Sequence, residues 1–288
     1  MTIKSFVAAA LGTAFLTGCA SLSQEPAGPD VISFDHGATD TLVALGLDEK
    51  ILAIPQTGLP EYLSGLSAGR PDAGNLKTPD LAVVRELAPD MVLVTGRQAE
   101  SLEELQAVTQ VQDVSLLGDD YREAVQIRVL GLATLYGQLD EAGEKLDQLW
   151  RFVEEQRDGL AGSDPVAVVT HNQGKFSLRD EPVVFQLLNL EAPRVPEGVE
   201  SVTRGTRVFT PVTPANLATM APSHLFVVDR SAAIGDEPLD VDQLRRDLDA
   251  AGGGTIDVTV LSPELWYLSG GGLQSVRLQV EEVVDALR

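Results

Sequence analysis

Short apolar or β-branched runs recur along the chain at Val31–Phe34, Ile51–Ile54, Met91–Thr95, Val166–Thr170, Leu225–Val228 and Val258–Leu261. Each is short and almost free of polar residues, which is the pattern of a strand buried on both faces. Helical patterns separate them. Strands alternating with helices predict an α/β fold with largely parallel sheets.

Between these runs the pattern changes once. Leu139, Ala142, Leu146, Leu149, Val153 and Leu160 recur at spacings of three, four and seven, and Glu, Lys, Asp and Arg fill the gaps. This predicts one amphipathic helix over 139–160, about 33 Å long at about 1.5 Å per residue. Gly159, Gly162 and Pro165 stop it. The 288 residues suffice for two domains with their own cores. The expected organisation is an N-terminal lobe over 31–138, the connecting helix, and a C-terminal lobe over 161–288.

The two halves look alike. Ala88-Pro89-Asp90-Met91-Val92-Leu93-Val94-Thr95-Gly96-Arg97 matches Ala221-Pro222-Ser223-His224-Leu225-Phe226-Val227-Val228-Asp229-Arg230, with ten residues from Ala-Pro to Arg in each. Each follows a helical apolar pattern, with Val84 and Leu87 in one and Leu217 and Met220 in the other. The expected fold is therefore two Rossmann-like lobes with parallel sheets, joined by one long helix, with a ligand cleft between them.

Open parallel sheets bind ligands beyond the carboxyl ends of their strands, and Arg97 and Arg230 both stand there. Lys plus Arg is 21 and Asp plus Glu is 43, a formal charge of −22. Such a chain is repelled by phosphate backbones, so nucleic acid is excluded as a partner. Against that background two facing arginines form a site for an anion; surface salt bridges are the other reading. His36 and His171 follow strands and either line the cleft or serve as loop and capping residues, whereas His224 precedes its strand and is structural. Trp266 and Tyr267 stand before Gly270-Gly271-Gly272. They read either as core or rim residues or as a mobile element whose phenol is an oxygen ligand for a hard metal such as Fe(III).

The N-terminus is a positive Lys4, a short apolar stretch from Ser5 to Phe15, and Leu16-Thr17-Gly18-Cys19. It reads as a signal peptide over 1–18, too short to span a bilayer. It resembles the bacterial lipobox, whose cysteine is lipidated; a plain signal peptide with an incidental Cys19 is the alternative. The stretch over 19–30 reads as a flexible tether. With Cys19 the only cysteine, the rest of the chain has no internal disulfide.

Phe34-Asp35-His36-Gly37-Ala38-Thr39-Asp40-Thr41-Leu42, Gly96-Arg97-Gln98, Asp229-Arg230-Ser231-Ala232-Ala233-Ile234-Gly235 and Trp266-Tyr267-Leu268-Ser269-Gly270-Gly271-Gly272 resemble the helix-linked, two-lobed substrate-binding lipoproteins of ferric-siderophore ABC importers. The nearest branch takes up catecholate siderophores such as enterobactin and its fragments. The resemblance runs from about Val31 to Arg288. It implies an exported, lipid-anchored monomer that carries no intrinsic cofactor, binds a ferric siderophore and delivers it to a permease.

In that family three arginines hold the iron–catecholate, and a His and a Tyr complete the iron shell. Arg97, Arg230 and Tyr267 match. The third arginine's place falls on Val184, with Arg179 the nearest substitute, and the family's His-Gly loop reads Thr203-Arg204-Gly205-Thr206-Arg207, where Arg204 or Arg207 adds charge instead. The glutamates that meet the permease correspond to Ala82 and Ala215, with Asp80 and Glu86 beside the first.

Other cargoes for the same fold are haem, cobalamin or a free metal ion. A serine hydrolase is a remote reading. Gly65-Leu66-Ser67-Ala68-Gly69 fits G-x-S-x-G, but Pro60-Glu61-Tyr62-Leu63 before it is no strand and Arg70-Pro71 after it starts no helix.

Overall fold

The computed structural model describes residues 28–205 and 207–288, without the side chains of Arg204 and Arg207. The signal segment, Cys19 and most of the tether lie outside the described residues.

The first lobe runs β1 (Val31–Ser33), α1 (His36–Ala44), β2 (Ile51–Ala53), α2 (Leu81–Leu87), β3 (Met91–Val94), α3 (Leu102–Gln106) and β4 (Gln110–Asp113). Its sheet has the order β2-β1-β3-β4, all parallel. The strand β4 was not foreseen, because its sequence Gln-Val-Gln-Asp at an exposed sheet edge has no apolar run. Then come α4 (Tyr121–Leu135) and the long α5 (Leu139–Gly159). The apolar stripe of α5 buries Ala142, Leu146, Leu149, Trp150 and Val153. Leu139, which the spacing put on that stripe, stays 48% exposed.

The second lobe runs β5 (Val166–Asn172), β6 (Lys175–Leu178), β7 (Val202–Arg204), β8 (Arg207–Val212), α6 (Pro214–Met220), β9 (His224–Asp229), α7 (Arg230–Ala233), α8 (Val241–Ala250), β10 (Asp257–Leu261), α9 (Pro263–Tyr267) and α10 (Leu273–Ala286). Its sheet has the order β10-β9-β5-β6-β8-β7. Only β10, β9 and β5 run parallel; β6, β8 and β7 pair antiparallel, so this sheet is mixed and not largely parallel. Antiparallel strands need only tight turns between them, such as Gln173-Gly174 between β5 and β6, and such short strands leave little periodic signal.

The internal likeness extends to the backbone. The helices α2 and α6 both end on an alanine in the left-handed conformation, Ala88 at φ 44° and Ala221 at φ 47°. A proline, a buried strand and an arginine follow each. Ala82 and Ala215 both lie in the first turns of these helices, N-capped by Asp80 and Thr213.

The last helix, α10, packs on α1 and α5 and brings the chain's end back to the first lobe. The contact is backbone against backbone. A methyl group at Gly37 would run into the carbonyl oxygen of Gly270, and one at Gly272 into the Gly37 carbonyl and the Asp40 carboxylate. The glycines after Tyr267 are therefore a packed seam, with Gly271 and Gly272 buried, and not the mobile element expected from the sequence. Across that seam the Asp40 carboxylate accepts from Gln274 N at 2.8 Å and from Ser275 N at 2.6 Å, capping α10 from another helix. Tyr62 Oη reaches Asp40 at 3.4 Å and Ser269 Oγ at 2.7 Å. Beside this, Arg128 of α4 pairs with Asp35 at 3.1 Å and donates to Val114 O at 2.7 Å and Gly270 O at 3.2 Å. With its side chain 4% exposed, its charge is held by a partner and two carbonyls.

Burial pushes the Asp40 carboxyl up from 3.8 to about 6, although its hydrogen bonds to Ser275 and Gln274 pull the other way. A carboxyl with a raised folded-state pKa contributes stability that is fully present below the unfolded value. That stability is lost as pH rises through the folded value. About two pH units correspond to about 3 kcal/mol. The stability of the parent relative to Asp40→Asn should therefore fall by that order as pH rises from about 3 to about 7, through the folded value, measured by urea unfolding of both proteins at each pH. A gap that stays constant across this window would show that the Asp40 proton is not linked to folding.

Candidate functional site

The carboxyl ends of β3 and β9 face each other across the boundary between the lobes. After β3, Thr95 caps a short helical turn at Gly96–Ser101, accepting from Arg97 N, while Gln98 Oε1 accepts from Thr95 N at 2.7 Å. The buried Gln98 amide is tied to the carbonyls of Phe34 and Leu76. With Gln98 anchored inward, the neighbouring Arg97 points out into the cleft and donates to Tyr267 O at 2.9 Å, across the lobe boundary.

After β9, the Asp229 carboxylate caps α7, accepting from Ala232 N at 3.2 Å and Leu239 N at 2.7 Å. Burial tends to raise the Asp229 pKa, but hydrogen bonds led by that from His171 outweigh it and hold the carboxyl below its usual range. Arg230 opens this turn. Its Nε donates to Tyr267 Oη at 2.8 Å and its terminal nitrogen to the Asn172 side chain. The two guanidinium carbons lie 5.8 Å and 5.6 Å from the centre of the Tyr267 ring. The geometry thus brings together the three residues that the sequence singled out most strongly. Neither arginine has a carboxylate partner among the described residues.

These residues line a cavity of about 450 Å³. Leu76, Ala233 and Leu268 close one side, the first from one lobe and the others from the second. The cavity has a third cation, Lys77, which sequence reasoning missed. It sits in a tight turn where Asn75 Oδ1 accepts from the backbone N–H of Lys77 and Thr78, at 2.8 and 2.9 Å. Its only signal was an Asn-Leu-Lys-Thr turn, which is common in loops.

The other expected residues lie elsewhere. Trp266 is core, 1% exposed, with its indole N–H on Glu282 at 2.6 Å. Val184 is fully buried, and Arg179 pairs with the buried Glu181 and donates to Trp266 O, so neither supplies a third cation to the cavity. The Arg204 side chain, like that of Arg207, lies outside the described residues. His171 accepts from Gly174 N at Nε2, which places its proton on Nδ1, and Nδ1 donates to Asp229 at 2.8 Å. Both nitrogens are committed, so this histidine holds the corner that carries Arg230 and is not an open metal ligand. His36 is completely buried at the start of α1, and among the described residues neither of its nitrogens has a hydrogen-bond partner. Burial pushes its pKa down to about 4, with Asp35 opposing and Arg97 adding to the shift. It does not line the cavity. His224 hydrogen-bonds to Thr259 at 2.8 Å in a depression at the opposite end of the second sheet, larger at about 610 Å³ but away from the strands' carboxyl ends. Among the described residues no group of three His, Cys, Asp or Glu side chains is placed to hold a metal ion.

No protein-family model matches the chain. It is 28% identical over 273 residues to the petrobactin-binding protein YclQ of Bacillus subtilis, covering 89% of this chain and 82% of that protein. It is 22% identical over 228 residues to the ferric-anguibactin-binding protein FatB of Vibrio anguillarum, covering 74% and 68%. The crystal structure of YclQ superposes with a TM-score of 0.80 at 26% identity, over 91% of this chain and 93% of that one. An iron-uptake ABC transporter substrate-binding protein, PiuA of Streptococcus pneumoniae, does so with 0.77 at 25%, over 90% and 93%. With two lobes and a long joining helix, this chain thus has the fold seen in YclQ and in the ABC transporter substrate-binding protein PiuA.

Proposed function

We propose that this chain is the solute-binding component of an ABC importer and takes an anionic ferric siderophore, of catecholate type, into the cleft. The observation that carries the reading is that Arg97, Arg230, Lys77 and Tyr267 line one cavity in a chain of charge −22. The names of the relatives, a petrobactin binder and a ferric-anguibactin binder, support the cargo class. The chelate is substrate, not a resident cofactor.

The chain acts by binding and not by catalysis. Ser67, the one nucleophile suggested by motif, ends a short helical turn and donates to Ser64 O at 2.7 Å, with no strand before it. The permease partner, export, the Cys19 anchor and the monomeric state belong to the same reading. Haem and cobalamin are tested against it by tryptophan fluorescence titration with a ferric catecholate, haem, cobalamin and bare metal salts. Quenching that saturates only with the ferric catecholate is expected.

Charge-assisted hydrogen bonds contribute about 1.5–3 kcal/mol each. Arg97→Ala, Arg230→Ala and Lys77→Ala should each weaken binding of the ferric catecholate by about tenfold or more. Parent-like affinity in all three variants would place the ligand elsewhere.

With a tetradentate chelator the iron keeps open positions, and the Tyr267 phenol lines the cavity as an oxygen donor for one of them. Tyr267→Phe should shift the charge-transfer band of that complex, while His36→Ala and His171→Ala leave it unchanged. A shift in a histidine variant would instead assign a nitrogen ligand.

Cys19→Ser should release the protein from the membrane fraction, read by fractionation and mass spectrometry of the mature N-terminus. Unchanged membrane association would remove the lipid-anchor reading.

A further inference from the structure

The cavity contains one carboxylate among its cations. Glu100 lines it together with Lys77, Arg97 and Arg230, so three positive groups face one negative group. Glu100 stands three residues after Arg97, on the same short turn, Gly96–Ser101. It does not neutralise Arg97: the Arg97 guanidinium donates to the Tyr267 carbonyl at 2.9 Å. Among the described residues, Glu100 makes no side-chain hydrogen bond and no ion pair within 4.0 Å. Glu100 is exposed on this turn and lines the cavity, so no described partner neutralises its charge at the cavity wall.

We propose that Glu100 is a specificity residue that tunes the cleft to ferric chelates of low negative charge. The inference rests on the proposed function and extends it. Iron(III) held by four catecholate oxygens carries a charge of −1, and iron(III) held by six carries −3. Both are attracted by the three cations. Repulsion from one fixed carboxylate scales with the charge of the complex, so it penalises the trianion about three times as strongly, in free-energy terms, as the monoanion. Discrimination then comes from a repulsive element placed inside an attractive site. Removing it relaxes specificity without removing any attractive contact.

The test compares the parent with Glu100→Gln, which keeps the side chain's size and removes its charge. The probes are ferric enterobactin, with six catecholate oxygens, and the ferric complex of a tetradentate two-catechol fragment at one chelator per iron. Dissociation constants are measured by fluorescence quenching at fixed ionic strength. The variant should bind the trianion about tenfold more tightly and the monoanion only two- to threefold more tightly. Glu104→Gln, an exposed site on α3 outside the cavity, makes the same change in net charge and should leave the ratio of the two constants alone. Equal tightening for both probes, no tightening, or the same ratio shift in Glu104→Gln overturns the assignment of Glu100. If the parent binds neither complex, the proposed function itself falls, and the inference with it. Melting curves confirm that the compared proteins are folded.

Discussion

A carboxylate from α1 reaches across the molecule and caps α10, and the geometry of the cleft hangs on that contact. Asp40 accepts the backbone N–H groups of Gln274 and Ser275 inside a fully buried seam. Burying an ionisable carboxyl is unfavourable, and its raised pKa reflects this. The seam compensates by satisfying N–H groups at the start of α10 that would otherwise be orphaned, and by placing a negative group where the helix dipole favours one. The approach of the two helices is possible only because Gly37 and Gly272 have no side chains. Between that cap and Tyr267 the chain is Leu268, Ser269 and glycines, and Ser269 is itself held by Tyr62. Fixing the seam therefore fixes where the phenol stands.

The arginines fall into two groups according to what they touch. Arg128 faces Asp35, and Arg179 faces Glu181. Their charges are neutralised within the protein, so their work is to hold elements together. Arg97 and Arg230 rest on a carbonyl, a phenol and a carboxamide. Such partners satisfy hydrogen-bonding geometry but leave the positive charge uncompensated. In a chain of −22 this is an unusual local field, and it makes the cleft attractive to an anion. One histidine supports the same corner indirectly. His171 fixes Asp229, and Asp229 caps the turn on which Arg230 sits.

Much of the fold was legible. The six apolar runs are all strands in the structure, and the three-and-four spacing gave the long helix to within a residue. Arg97 and Arg230, which the Ala-Pro to Arg match sets in equivalent places, both lie against Tyr267, because a repeated helix–turn–strand unit delivers equivalent residues to equivalent sheet ends. The antiparallel strands β6, β7 and β8 were not legible: they are short and partly exposed, and a two-residue turn at Gln173-Gly174 leads straight from β5 into β6. Trp266 was left open between core and cleft, because an aromatic beside a ligand residue reads the same whether its ring faces the cleft or the core; it is core. Lys77 was missed because a lysine in a turn is ordinary until the opposite lobe packs against that turn.

The sequence by itself determined what each segment is. Apolar periodicity fixes whether a segment lies in a strand or a helix. Residue chemistry supplies two arginines just past strand ends and a tyrosine before a glycine run, in a strongly acidic chain. Tertiary structure decided what each charged group is for. Whether an arginine meets a carboxylate or a carbonyl, whether a glycine run moves or is clamped, and whether a histidine is open or already bonded all depend on which segments meet across the lobes. Those contacts join residues as far apart as Asp40 and Ser275, 235 positions along the chain. Local pattern carries no signal for such pairs, because their energy arises only when burial brings the two groups together.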